Sequence, residues 1–317
     1  MTVRLGLLST ANINRAMLGG ALRTDAAEVV AVASREAERA ESFAAEHGLG
    51  RAHGSYEAML ADPEVDAIYV PLPNALHVEW TVRALEAGKH VLCEKPLTRH
   101  PADAERAFAA AARAGRVLAE GFMWRHTPQA ARLRELVAER VVGDLKLVRT
   151  AFCFAAAEPD VRLQAALDGG GLMDVGCYCV SAMRLLAGEP SSVSAQQVLG
   201  GDGVDVRLAG VLRFPGDVLG VLDCGLDMAP RHELEVVGTE GSLFVADPWH
   251  SRSPRIEVRR PGGVRSIDLP FVDPYACQLE DFAAAVRGER PHPFGRADAV
   301  GQARTLAALY ASAEAAA

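Results

Sequence analysis

The sequence has little of what secreted, membrane-spanning or nucleic-acid-binding proteins need. Its six cysteines are scattered over 317 residues and none forms a C-x-x-C pair, so we expect free thiols and no metal site. It has no run of 18 apolar residues, and its opening residues do not resemble a signal peptide. The net charge of −8 argues against general binding to nucleic acid or to an anionic membrane. We therefore expect a cytoplasmic protein.

Glycine is also missing from a turn where it is commonly found. The stretch LGLLSTANIN, residues 5–14, has the pattern of a buried strand leading into a helix, as at the start of a dinucleotide-binding domain. A G-x-G-x-x-G pattern laid over it falls on Ser9, Ala11 and Asn14. Small residues allow part of the close backbone approach that a pyrophosphate needs, so both a nucleotide site and a plain turn remain open. The candidate residues are Ser9, Thr10, Ala11, Asn12 and Ile13.

Two patterns of secondary structure divide the chain. Up to residue 122, short apolar strands alternate with helical stretches, which predicts an α/β Rossmann domain with a doubly wound parallel sheet. From residue 123 to 317, eight strand candidates follow with few helices between them, and several alternate polar with apolar residues. One of these strands is predicted to begin at His232, and one helix is predicted at about Tyr178–Ala187. This pattern predicts an α+β domain with a large, mainly antiparallel open sheet.

The end of the second predicted strand carries hydroxyl and guanidinium groups. Ser34 and Arg35 lie about where a Rossmann domain meets the ribose 2′ position, and Arg39 follows one helical turn later. Arginine binds phosphate oxygens in a bidentate manner, so NADP is favoured over NAD as the cofactor. Glu36 keeps NAD possible, and a solvated helix face is the alternative interpretation of the two arginines.

Two further segments follow strand ends, where ligands gather in parallel sheets. The first, PLPNALH, offers Pro71, Leu72, Asn74 and His77 as cofactor contacts, with Asn74 as a possible helix cap. A purely structural role for His77 is the alternative.

The second segment holds Glu94 and Lys95 immediately before a proline. The ammonium of Lys95 could hydrogen-bond a reacting oxygen, whereas a lysine in a surface turn is the plain alternative. Further along, Trp124 and Arg125 could form the wall of a cleft. A buried tryptophan with a paired arginine would explain those two residues equally well.

The most distinctive stretch is GGGLMDVGCY, residues 169–178. Its glycines allow tight backbone approach. If this stretch is helical, Asp174 and Tyr178 share one face because they lie four residues apart. A carboxylate and a phenol on one face suit a substrate with several hydroxyl groups. A helix cap at Asp174 and core packing by Tyr178 are the alternative.

Taken together and in this order, these segments resemble the glucose–fructose oxidoreductase / inositol dehydrogenase (Gfo/Idh/MocA) family. The motifs on which the resemblance rests are E-K-P at 94–96, P-N-x-x-H at 73–77 and G-G-x-x-x-D-x-G-x-Y ending at Tyr178. The turn S-T-A-N-I, with M-W-R at 123–125 and D-V-G-C-Y at 174–178, is similar to the branch of NADP-dependent D-xylose 1-dehydrogenases and dihydrodiol dehydrogenases.

The resemblance implies roles for four residues and an assembly. It implies that Tyr178 is the proton donor and acceptor, that Lys95 acts near the substrate oxygen, and that Asp174 binds a sugar hydroxyl. Arg162 corresponds to a basic substrate-binding position. The resemblance also implies a homodimer or homotetramer formed through the second sheet. The loop before the glycines departs from the family pattern, which leaves the substrate open.

We therefore expect an oxidoreductase that uses NADP, or possibly NAD, on a carbohydrate or a related cyclic polyol. Three other hypotheses remain open at the level of sequence. One is a ketosugar reductase of secondary metabolism. Another is a nucleotide-binding sensor without catalysis, suggested by the missing glycines. The third is a lyase or glycosidase that recycles bound NAD.

Overall fold

The computed structural model describes residues 1–316, which form two compact units. The first unit comprises Met1–Met123 together with Asp273–Val300, and the second comprises Trp124–Val272 together with the chain from Gly301 onward. The helix at Pro274–Val286 thus belongs to the first unit. The division into domains at 122/123 stays a prediction about independently folding parts of the chain.

Six strands and their helices build the Rossmann part of the first unit. In chain order the elements are β1 (Val3–Leu7), α1 (Asn14–Ala21), β2 (Ala27–Ala33), α2 (Ala37–His47), β3 (Arg51–His53), α3 (Tyr56–Leu60), β4 (Ala67–Val70), α4 (Asn74–Glu86), β5 (His90–Glu94), α5 (Pro101–Ala114) and β6 (Leu118–Gly121).

The first sheet is parallel, with the order β3-β2-β1-β4-β5-β6. The predicted doubly wound fold is therefore confirmed. The central strands β1 and β4 consist mainly of buried apolar residues, as expected of strands covered on both faces. The chain order reverses between these two strands, and this is the edge position where such sheets bind ligands.

Helix α8 (Pro274–Val286) completes the core of the first unit. Leu279 and Phe282 pack into the same apolar cluster as Leu5 and Met17, and all four are fully buried. At Gly20 a Cβ would lie only 2.5 Å from the Cβ of Tyr275. The absence of a side chain at Gly20 is thus what allows α1 and α8 to pack closely.

A large open sheet dominates the second unit. Its elements are α6 (Pro128–Ala138), β7 (Leu145–Ala155), α7 (Cys177–Ala187), β8 (Ser192–Leu199), β9 (Asp205–Phe214), β10 (Val218–Gly225), β11 (Asp227–Gly238), β12 (Ser242–Val245), β13 (Arg255–Arg260), β14 (Gly263–Asp268) and α9 (Arg296–Ala315), the last of which continues from the first unit.

The strand order β14-β13-β12-β11-β7-β10-β9-β8 contains one parallel pair, β7 with β10, and is otherwise antiparallel. The predicted mainly antiparallel sheet is therefore confirmed. Strand β11 starts at Asp227, five residues before the predicted strand at His232. The sequence pattern missed these residues because Pro230 interrupts it, and the pairing shifts register between Asp227 and Arg231. Among the described residues, no helix combines the length and apolar content needed to cross a membrane.

Candidate functional site: a nucleotide cleft and a tyrosine helix

An open cleft of about 180 Å³ lies at the carboxyl ends of the first unit's strands, where the strand order reverses. Residues that follow β1, β2 and β4 line it together, although they are far apart in sequence. Its lining contains eight of the predicted cofactor contacts: Ser9, Thr10, Ala11, Ser34, Arg35, Arg39, Pro71 and Leu72. The structure thus brings together the three segments that the sequence presented separately.

The turn after β1 is held by its own polar groups. Ser9 Oγ accepts a hydrogen bond from the Ala11 amide at 3.1 Å, and the Asn14 side chain donates to the Ser9 carbonyl at 2.6 Å. Helix α1 follows with Ile13 at its N-cap position and no side-chain cap. Asn12, a possible cap, does not fill that role. An uncapped helix start beside a tight turn suits a phosphate group.

The end of the cleft near β2 carries two arginines and the carboxylate of Glu36, and it contains a residue that sequence reasoning missed. Ser34 is buried, whereas Arg35 and Arg39 are exposed. Tyr56 also lines this end; burial raises the pKa of its phenol, and the charges of Arg35 and Arg39 act in the opposite direction. Tyr56 packs edge-on against Trp80, with ring centroids 4.8 Å apart. Nothing local in the sequence placed Tyr56 beside these arginines.

His77 joins two of the loops at the strand ends. Its ring is 1% exposed, and its nitrogens lie 2.8 Å from the carbonyl oxygens of Leu72 and Pro96. Burial, with a smaller contribution from the Lys95 charge, lowers the pKa of His77 to about 4 against the opposing effect of the two carbonyl contacts. Asn74 is the first residue of α4, whose N-cap residue is Pro73 and which has no side-chain cap.

Two buried carboxylates hold the backbone near the lysine that follows β5. Glu94 accepts a hydrogen bond of 2.5 Å from the phenol of Tyr69, and its other oxygen lies 3.3 Å from the Lys95 amide. Glu120 accepts from the Leu97 amide at 2.7 Å. Both carboxylates are less than 10% exposed. These bonds fix the backbone on both sides of Lys95, whose side chain is half-buried.

In the second unit, Asp174 and Tyr178 lie on one continuous helical segment, residues 172–187, which we call the tyrosine helix. The helix begins earlier than predicted, because a π-helical turn at Leu172–Gly176 runs directly into α7. Such turns often occur at functional sites. Arg162 Nε lies 2.8 Å from Asp174 Oδ2, and the same guanidinium reaches Asp160 at 3.1 Å. The predicted substrate residues Arg162 and Asp174 are therefore brought together, and Tyr178 follows Asp174 four residues later on the same segment.

The glycines before this helix serve close contacts within the protein. At Gly169 a Cβ would lie 2.3 Å from the Arg162 carbonyl oxygen, and at Gly170 it would lie 2.1 Å from Asp205 Oδ1. Gly170 has a φ of +123°. Asp205 accepts hydrogen bonds from the Leu172 amide and the Tyr310 phenol. The glycines thus let the loop that contains Arg162, here called the Arg162 loop, lie against the start of the tyrosine helix.

Aromatic rings surround Tyr178 on the inner side of the second sheet. Phe152 lies edge-on to it at 5.3 Å between centroids, and Trp249 lies 5.8 Å away. Trp249 in turn contacts Trp124 edge-on at 5.5 Å. Trp124 and Arg125 are both buried. Phe152 and Trp249 were missed by sequence reasoning, because neither belongs to a recognisable motif.

A second, wider cleft of about 820 Å³ lies within the second unit and has an acidic lining. Its charged members are Glu158, Asp160, Asp202, Asp227 and Arg207. Arg207 is paired with Asp227 at 3.1 Å. Because Asp160 also contacts Arg162, this cleft adjoins the ion pair that positions Asp174.

Comparison with known proteins identifies relatives over nearly the whole chain. A D-xylose 1-dehydrogenase (NADP(+)) of Haloferax volcanii is 38% identical over 98% of this chain and 97% of its own length. A trans-1,2-dihydrobenzene-1,2-diol dehydrogenase of Xenopus tropicalis is 32% identical over 77% of this chain and 73% of its own length. The crystal structure of KijD10, a 3-ketoreductase from Actinomadura kijaniata in complex with NADP and TDP-benzene, superposes with a TM-score of 0.90. It has 33% identity and covers 98% of both chains.

Two family models account for most of the sequence. The oxidoreductase model with an NAD-binding Rossmann fold matches residues 5–122, and the GFO/IDH/MocA C-terminal domain matches residues 130–244. The resemblance inferred from the motifs, including that to the xylose and dihydrodiol dehydrogenase branch, is confirmed. With its switch-point cleft and its open second sheet, the chain belongs to the GFO/IDH/MocA family of NAD(P)-dependent oxidoreductases.

Proposed function

We propose that the protein is an NADP-preferring dehydrogenase or reductase that acts on a sugar or a related cyclic polyol. The observation that carries this proposal is the β2 end of the nucleotide cleft, which is lined by Ser34 and by two arginines, Arg35 and Arg39, against one carboxylate, Glu36. A Rossmann domain usually meets the ribose 2′ group at this strand end. A 2′-phosphate would receive charge-assisted hydrogen bonds there. The NADP named in the Haloferax relative and in the KijD10 complex supports the same cofactor.

The residues that line the nucleotide cleft fit a dinucleotide, and different parts of the cleft would bind different parts of the cofactor. The uncapped start of α1 would hold the pyrophosphate, while the β2 end would select the adenosine phosphate. When bound, the nicotinamide supplies or accepts the hydride. Pro71 and Leu72 would support the cofactor from the β4 loop, with Asn74, His77 and Glu94 holding the neighbouring backbone. The proposal also includes Trp124 and Arg125 as contacts on the cofactor side.

Tyr178 is our candidate for the group that exchanges the proton of the substrate hydroxyl. Its ring is held by Phe152 and Trp249, which restricts where the phenol can point. Lys95 would assist by hydrogen-bonding the reacting oxygen, and Asp174 would bind a neighbouring hydroxyl. Because Asp174 is paired with Arg162, a hydroxyl bound there would also meet a guanidinium donor. Structures of KijD10 variants with a tyrosine-to-phenylalanine and a lysine-to-alanine substitution concern the same two residue types.

The decisive experiment for this assignment is turnover of Tyr178→Phe and Lys95→Met with NADP and a panel of aldoses, inositols, ketosugars and dihydrodiols. Loss of a general acid or base should reduce kcat roughly 10²–10⁴-fold while NADP still binds. Tyr275→Phe, a half-buried tyrosine on α8, provides the control and should keep near wild-type turnover. Near-full turnover by both active-site variants would refute the assignment.

A reductase of nucleotide-linked ketosugars is the second candidate, favoured by the similarity to KijD10 over 98% of both chains. The acidic cleft of the second unit provides a physical argument against it. Four carboxylates and one arginine that is already paired line this cleft, and they would repel a diphosphate but accept hydrogen bonds from neutral hydroxyl groups. We therefore place a free sugar ahead of a nucleotide sugar. Preference for a TDP-linked substrate in the same panel would reverse this order.

We also propose that the second sheet forms a homodimer or homotetramer interface. Val211, Leu219 and Val221 are neighbours on the outer side of β9 and β10, with exposures of 47%, 39% and 39%. An apolar group of this kind on an open sheet commonly marks a protein contact.

The cytoplasm remains our proposed location for the protein. All six cysteines are buried and free, and free thiols suit a reducing compartment.

A further inference from the structure

A cluster of three metal-ligating side chains lies beside the aromatic rings of the tyrosine helix. His232 on β11 and Asp247 and His250 in the loop after β12 direct donor atoms toward one another, and these atoms all lie within 4.8 Å. No sequence pattern indicates this grouping, because the residues come from two segments and have no metal-binding spacing. The sequence-based expectation of no metal site is thus challenged by the fold.

The side chains of the cluster are only loosely bonded to one another, at distances that match ligands around a shared ion. Asp247 Oδ1 lies 3.6 Å from His232 Nδ1 and makes long hydrogen bonds of 3.3 Å with His250 Nδ1 and with the His250 amide. Shorter distances are usual for strong N–H···O bonds. Two ligand atoms that each lie about 2.1 Å from a tetrahedral zinc ion are about 3.4 Å apart, and this value falls between the two observed distances.

The loop that carries Asp247 and His250 is held in place by hydrogen bonds from two buried neighbouring residues. Trp249, fully buried, donates from Nε1 to the Ala151 carbonyl at 3.2 Å. Ser251 is 2% exposed and donates to Gln129 Oε1 at 3.0 Å, although its φ of +51° is unusual for a residue with a side chain. Backbone strain of this kind persists only where the surroundings enforce it. The ligand geometry is therefore preorganised.

The surroundings of the cluster allow an ion to enter. The side chains of His232, Asp247 and His250 are 19%, 17% and 31% exposed, so the site opens to solvent on the His250 side. Arg252 Nε lies 3.8 Å from Asp247 Oδ2 and is the nearby competing cation. Its side chain is 68% exposed, and it can turn outward when an ion binds.

We propose that His232, Asp247 and His250 form a binding site for one divalent transition-metal ion of the zinc class. Two imidazoles and a carboxylate are a ligand set that zinc uses, with the remaining position left to water. Phe152 packs on both histidines, with centroid distances of 4.7 and 5.8 Å, and also on Tyr178. A bound ion would therefore stiffen the loop whose Trp249 supports Tyr178. The site does not depend on the proposed cofactor or substrate.

The test uses the full chain, stripped with a chelator and then titrated with Co²⁺ while the visible d–d bands are recorded. We expect one Co²⁺ per chain and displacement by Zn²⁺. His250→Ala and Asp247→Asn should weaken Co²⁺ binding by more than the roughly 10–100-fold that loss of an outer-sphere partner causes. His100→Ala, an exposed histidine of the first unit, is the matched control and should bind as the wild type does.

Thermal unfolding provides a second measurement that does not depend on colour. Zn²⁺ should raise the Tm of the wild type and of His100→Ala, but not that of His250→Ala, because an ion that binds only the folded state stabilises it. His250 lies in a half-exposed loop, so its replacement leaves the sheet intact even if His232→Ala fails to fold. Absence of d–d bands in the wild type, or equal binding by His250→Ala, would overturn the proposal.

Discussion

At the scale of single residues, Arg35 tests the choice of cofactor. Its exposed guanidinium lines the nucleotide cleft beside Ser34. Arg35→Ala should weaken NADP binding by roughly 10–100-fold and leave NAD binding nearly unchanged, because hydrogen bonds to charged groups contribute about 1.5–3 kcal/mol. Calorimetric titration with both cofactors measures the difference. Arg113→Ala, which removes an exposed arginine on α5, should alter neither affinity, and equal wild-type affinities would contradict the prediction.

His90 provides a prediction about pH. Burial, followed by the charge of Arg116, lowers the pKa of His90 to about 4, and its Nδ1 accepts a hydrogen bond from the Val117 amide. The unfolded chain therefore binds a proton between about pH 6.5 and pH 4 that the folded protein does not. The stability contributed by neutral His90 is fully present above about pH 6.5 and is lost as the pH falls through this window.

The variant His90→Asn keeps an acceptor oxygen and removes the titration. We expect the loss of unfolding free energy between about pH 7 and pH 4.5 to be smaller than in the wild type by about 1–2 kcal/mol, a value reduced for the partial exposure of the ring. Urea unfolding at the two pH values measures this difference. His100→Asn should behave as the wild type, and an unchanged pH dependence in His90→Asn would show that folding does not lower the pKa of His90.

At the scale of elements, the π-helical turn depends on Gly170. An alanine there would meet Asp205 Oδ1 at 2.1 Å in a backbone conformation with φ of +123°. Gly170→Ala should lower the free energy of unfolding by roughly 2–4 kcal/mol and reduce turnover, because Asp205 would leave the Leu172 amide. Gly201→Ala, whose Cβ would meet nothing within 4 Å, should have little effect on chemical denaturation. Similar midpoints for the two variants would contradict this.

The comparison of sequence with structure also belongs to this scale. The strand ends near Ser9, Ser34 and Pro71 could be predicted to meet, because parallel strands place their carboxyl ends on one edge. Tyr56 and Trp249 could not be assigned, because their positions depend on contacts between distant segments that no local periodicity records. The early start of the tyrosine helix was missed for a related reason, since three glycines normally indicate a loop.

At the scale of the whole molecule, the proposed assembly can be tested on the outer side of the second sheet. Val211→Glu with Val221→Glu places two charges on neighbouring exposed positions of β9 and β10. We expect light scattering after gel filtration to show a smaller assembly than the wild type, because buried unpaired charges disfavour association. Leu22→Glu, at an 88% exposed position of the first unit, should keep the wild-type mass. A monomeric wild type would exclude the interface.

The glycine-backed Arg162 loop has a consequence for directed evolution. Positions 169 and 170 touch the Arg162 backbone and Asp205 so closely that randomising them would mostly yield misfolded clones. Residues 155–159 and 164–167 are mostly exposed or half-exposed, and the Arg162 loop is fixed at its far end by the glycines. A library confined to those residues would therefore sample new substrate preferences while keeping the Asp174–Arg162 pair in place.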